Sequence, residues 1–144
     1  MSNKILTVVS VLAFIVLILY LLIGFEPIWK VIHKDILTAY SNHLDETKKM
    51  IQGHDILVNE IRSIPTGENI EKLIRLQEGY IGRTKQWTDQ LMEFKLFIET
   101  NHASIRKVGV NPDYARDNVE HILETVRDND IRFHHSLEIL RKRS

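Results

Sequence analysis

The apolar positions divide the chain into one continuous run and three periodic stretches. The run, Ile5 to Phe25, reads ILTVVSVLAFIVLILYLLIGF and carries no charge. A helix that is apolar all round is either deeply buried or spans a membrane. At 1.5 Å per residue the run covers roughly 31 Å, close to the ~30 Å of a hydrocarbon core. The pattern predicts a transmembrane anchor over 5–25 behind a short tail at 1–4. Ile5 and Phe25 mark its ends, and Trp29 suits the headgroup region just beyond. A cleaved signal peptide fits less well. Its apolar core spans about 7–15 residues and ends in small residues, whereas this run ends Leu22-Ile23-Gly24-Phe25-Glu26-Pro27.

Beyond the anchor, 26–144 reads as one helical bundle domain. In the first stretch, about 27–62, Leu37, Leu44, Ile51 and Val58 recur at seven-residue spacing. Beside them run His33, Tyr40, Thr47, His54 and Ile61, and Ile36, Met50 and Leu57 widen the stripe. In the second, about 68–107, Leu73, Tyr80, Trp87 and Phe94 form one row, with Gln77, Thr84, Leu91 and Ile98 as its companion. In the third, about 112–141, the row is Ala115, Val119, Ile122, Val126, Asn129, Phe133, Ser136 and Leu140, flanked by Leu123 and Leu137. These spacings are helical with a heptad character.

The punctuation agrees. Ser63-Ile64-Pro65-Thr66-Gly67 is a turn, with Thr66 as a candidate N-cap. Gly109 is placed to end the second helix. Asn111-Pro112-Asp113 starts the third with a cap, a proline at the first position and an acid. Gly79 and Gly82 interrupt the second helix at a cost of about 1 kcal/mol each relative to Ala, and would let a neighbouring helix approach closely. Short connections make consecutive helices antiparallel neighbours. The predicted fold is all-α: an N-terminal single transmembrane helix followed by an antiparallel three-helix bundle of long, coiled-coil-like helices.

Charge refines this picture. The 19 basic and 19 acidic residues give zero net charge, which leaves no footprint for nucleic acid. Lys4 and the α-amine face Lys30 and Lys34 across the run, a near tie by the positive-inside rule. The balance leans to a bacterial inner membrane with the C-terminal domain outside the cytoplasm. No cysteine is present, so the fold is neither stapled by disulfides nor dependent on a thiol.

Seven histidines are the most suggestive chemistry. Bundle di-metal sites use a Glu-x-x-His pair on each of two helices plus further inward carboxylates. Only Glu99 and His102 stand in that order; His134, His135 and Glu138 are the other metal candidates. The plainer reading of all five is an amphipathic helix surface with charge pairs, and no cofactor is expected. His33 and His54 lie at the edge of the first apolar stripe, where protonation would matter most, and are the pH-sensitive candidates. Asn129 sits on a seam, where it either sets helix register or marks a loosening around Asp128–Asp130. The row Tyr80, Trp87, Phe94 is core, with a ligand pocket as the alternative. No phosphate-binding loop, H-E-x-x-H or Ser–His–Asp order is present. The expectation is a non-enzymatic, membrane-anchored interaction, scaffolding or assembly protein whose partners are the bilayer and a second protein or further copies of itself. A ligand- or pH-sensing bundle acting through a partner, a phage lysis-type protein and a metal-binding bundle are the alternatives.

Overall fold

The computed structural model describes residues 13–19, 30–65 and 67–142. All regular structure among them is helical, and the long helices pack as a bundle. They are α1 (Lys34–Ser63), α2 (Ile70–Thr100), the short α3 (His102–Lys107) and α4 (Pro112–Arg141).

The sequence dictates each boundary. α1 stops where Ile64 turns extended, because the ring of Pro65 disfavours helical geometry in the residue before it. The connection uses Gly67 at φ +98° and Asn69 at φ +53°, a left-handed conformation that Asn tolerates better than most residues. Asn69 is therefore the residue before α2; Thr66, the expected cap, lies outside the described residues. At the far end, the helix expected over 68–107 breaks at Asn101. The Asn101 backbone N–H and side-chain amide both donate to the Phe97 carbonyl, at 3.0 and 2.9 Å, and the chain turns into α3. α3 ends in a Schellman pattern: Val110 N–H donates to the Ile105 carbonyl and Gly109 N–H to that of Arg106, with Gly109 at φ +85°. α4 opens as its sequence implies, with the Asn111 side chain accepting from the N–H groups of Asp113 and Tyr114.

α2 is the central element. Its Tyr80, Leu91 and Ile98 are fully buried, packed with Met50, Val58 and Ile61 of α1 and Val119, Leu123 and Val126 of α4. Contacts across the seams run in opposite senses along the chain. Glu60 meets Lys72 while His54 meets Tyr80, and Gln77 meets Ser136 while Lys95 meets Glu120. α2 is thus antiparallel to both neighbours. The buried stripes are rotated slightly from those expected. In α1 the row Thr47, His54, Ile61 is buried, whereas Leu37, Leu44 and Ile51 are only half-buried. In α4, Leu123 and Leu137 are buried where Ile122 and Leu140 are not. Burial follows the side that faces α2.

Two expectations are corrected. Among the described residues no helix is long and apolar enough to cross a membrane, so the single-pass membrane protein and its inner-membrane location are not supported. Of the apolar run, residues 13–19 are described, and they are helical. The ends of the expected anchor, Ile5 and Phe25, and its flanking Trp29 lie outside the described residues. Second, Gly79 and Gly82 admit no close helix: a Cβ at either would meet nothing within 4 Å.

Candidate functional site

One cluster of polar side chains lies in the bundle interior and draws on all three long helices. His54 of α1, Tyr80 of α2 and Asn129 of α4 are 7%, 0% and 6% exposed. Each sits on a seam row, so helical periodicity alone turns them inward. The His54 Nδ1 lies 3.0 Å from the Asp55 carboxylate. A carboxylate only accepts, so Nδ1 donates, and the Asn129 amide nitrogen only donates, so Nε2 accepts. Two donors converge on Nε2: the Tyr80 hydroxyl at 3.0 Å and the Asn129 amide at 3.3 Å. The single Tyr80 proton has a second acceptor, the Val126 carbonyl at 3.3 Å.

Aromatic rings close the cluster. Tyr80 meets Trp87 and Phe133 edge-on, with centroids 5.3 and 4.7 Å apart, and His54 meets Trp87 in the same way at 5.7 Å. Burial among them pushes the Tyr80 phenol up to about 12, against the opposing hydrogen bond from Asn129 and with help from the Asp130 charge. At neutral pH this hydroxyl is a donor held between two acceptors, and it is shut off from solvent. Chemically the arrangement behaves as a polar clasp: each helix supplies one group, and the three satisfy one another at a single level of the bundle. Satisfaction is incomplete nearby, where Thr47 Oγ1 and Gln77 Oε1 are buried without a hydrogen-bond partner.

The remaining candidates are dispersed. Glu99 pairs with Lys95 at 3.9 Å, and His102 with Asp113 at 3.1 Å; the break at Asn101 separates them, so they form no Glu-x-x-His pair on one helix. His134 donates through Nδ1 to the Asp130 carbonyl on the exposed side of α4, where His135 and Glu138 also face solvent. Among the described residues no group of three metal-ligating side chains is assembled. His33 is half-buried just ahead of α1, and its carbonyl accepts from Leu37 N–H. Asn129 lies within an unbroken α4 and reaches inward to His54.

The sequence pattern singles out His54 and Asn129 but not their meeting with Tyr80, whose row reads as core with a ligand pocket as the alternative. It also missed His43, whose ring stacks on Phe94 at 5.2 Å. A polar residue repeating on a heptad row beside aromatic rows was the available signal. No protein-family model matches the chain, and neither a curated protein nor a solved structure significantly similar to it was found.

Proposed function

We propose that the chain is a non-enzymatic helical-bundle assembly module, working by contact between its outer face and a further copy of itself. Its interior polar chemistry is engaged in joining helices, which leaves the outer surface to act. The observation that carries the reading is on α2. Met92 and Leu96, one helical turn apart, are 44% and 63% exposed, in a shallow depression bordered by Glu93, Lys95 and Glu99. An apolar centre with a charged rim is the anatomy of a small docking surface. A rim of mixed sign suits two-fold self-pairing, in which the same patch meets itself and opposite charges face each other. Zero net charge removes long-range repulsion between copies.

Two apolar side chains make a weak contact, so association belongs at high micromolar concentration. Sedimentation equilibrium of the full chain tests this. The expected result is a mass that rises with concentration, and that Leu96→Glu returns to the monomer. A monomer at every concentration overturns the reading, and so does association that survives Leu96→Glu.

A further inference from the structure

Beyond self-assembly, the seam between α1 and α4 holds a small crevice of about 100 Å³ next to the His54 cluster. Its walls are apolar: Met50 and Ile51 from α1, Ile122 and Val126 from α4. Met50 and Val126 are buried, and Ile51 and Ile122 are half-buried. At the mouth stand Asp55 and His121. Asp55 is 62% exposed, and one of its oxygens accepts a hydrogen bond from His54 Nδ1–H. Among the described residues, His54 is the one hydrogen-bond partner of the Asp55 carboxylate. No Lys or Arg lines the crevice, and Asp55 is its one carboxylate.

From this we infer that the crevice binds a small aromatic cation: a single ring lies between Ile51 and Ile122, and an ammonium one carbon away rests on Asp55. Size sets the ring. An apolar cavity of about 150 Å³ accepts benzene, so a crevice of about 100 Å³ takes no more than one ring, with the ring's outer edge and its substituent at the open mouth. The typical 300–1,000 Å³ of a drug-sized site is far larger. Charge sets the substituent, because an ammonium completes the unused half of the carboxylate while an anion would be repelled. A metal ion is the poorer fit, since both nitrogens of His54 are engaged and no third ligand joins His121 and Asp55.

The probe is benzylamine, with benzyl alcohol as its neutral counterpart and benzoate as the anion. They are titrated at pH 8 into the full chain while the methyl resonances of Met50, Ile51, Ile122 and Val126 are followed by NMR. The expected result is saturable shifts at these four residues, with benzylamine binding about three- to fivefold more tightly than benzyl alcohol, the range of a solvent-exposed ion pair. Benzoate is expected to bind least. Asp55→Asn, which retains an acceptor for His54, erases the preference for the amine but leaves ring binding. Ile122→Phe fills the crevice and abolishes both, with helicity by circular dichroism confirming the fold. Shifts that do not saturate, that persist in Ile122→Phe, or that are equal for amine and alcohol overturn the site; a preference that survives Asp55→Asn overturns the role of Asp55.

Discussion

Two histidine–aspartate pairs of nearly equal length do different work in this molecule. His54 and Asp55 lie 3.0 Å apart, and His102 and Asp113 lie 3.1 Å apart. The His54 side chain is 9% exposed and that of His102 is 39% exposed. The other edge of the His54 ring reaches two further helices through Tyr80 and Asn129. His102 instead stands at the corner of α3 and α4, where Arg106 at 2.8 Å and Arg116 at 3.7 Å share the same carboxylate. Water can replace any contact at that corner, whereas nothing replaces a lost partner in the interior. Position, not pairing distance, should therefore set how much each cluster contributes to the fold.

The largest effect tests the interior side of this contrast. Tyr80→Ala removes a fully buried ring and its hydroxyl together, and a loss of about 3–5 kcal/mol is expected in urea unfolding. Tyr80→Phe keeps the ring and strips one donor from the His54 Nε2, with an expected loss of about 1–3 kcal/mol. A Tyr80→Ala loss below that of Tyr80→Phe would break the comparison. The phenol adds a pH dependence. Its folded value is raised from 10.0 to about 12, so the fold favours the neutral form. The contribution is fully present below pH 10 and is lost as pH rises through about 12. The alkaline fall in stability should be shallower in Tyr80→Phe.

How much of this was legible beforehand differs between elements. The start of α4 was, because Asn111, Pro112 and Asp113 act within one turn of one another. So was the inward face of Tyr80, Trp87 and Phe94, since heptad spacing alone turns such a row to one side. The break at Asn101 was not: a long apolar period carried across it, and the Asn101 side-chain bond to the Phe97 carbonyl that accompanies the break leaves no mark in that period. The clasp was not legible either. His54 is 26 residues from Tyr80 and 75 from Asn129, and their meeting depends on the vertical register of three helices, which no local pattern encodes. The apolar run suggested a span by composition alone, and among the described residues no helix is long and apolar enough to cross a membrane.

A smaller effect sharpens the role of Asn129. Asn129→Ala removes one of two donors to the His54 ring and leaves a gap on α4, with an expected loss of about 1–3 kcal/mol. Asn129→Leu separates stability from specificity. Leucine fills the gap that alanine leaves, so the cost of the lost donor is smaller than for alanine, while a seam asparagine in a coiled coil fixes register. If the clasp sets register, Asn129→Leu lowers the urea midpoint less than Asn129→Ala yet broadens or doubles the amide resonances of α1. Sharp single resonances would assign Asn129 no part in register.

The smallest effect belongs to the corner. Asp113→Asn removes the charge shared by His102, Arg106 and Arg116 while the Asn111 cap stays in place. The exposed setting and the screening of such pairs by salt make the expected loss smaller than that of Asn129→Ala, and it should vanish at 1 M salt. The His102 hydrogen bond, with the charges of His102, Arg106 and Arg116, holds the Asp113 carboxyl below its ordinary 3.8 despite its partial desolvation. A depressed carboxyl stabilises the fold above 3.8, and that contribution is lost as pH falls through the lower folded value. Asp113→Asn should therefore flatten the acid limb of stability below pH 3.8 and leave the alkaline limb, which belongs to Tyr80, as it was. An Asp113→Asn loss that equals that of Asn129→Ala and persists in high salt would mean that the corner holds the helices as firmly as the interior does, and the distinction by burial would fail.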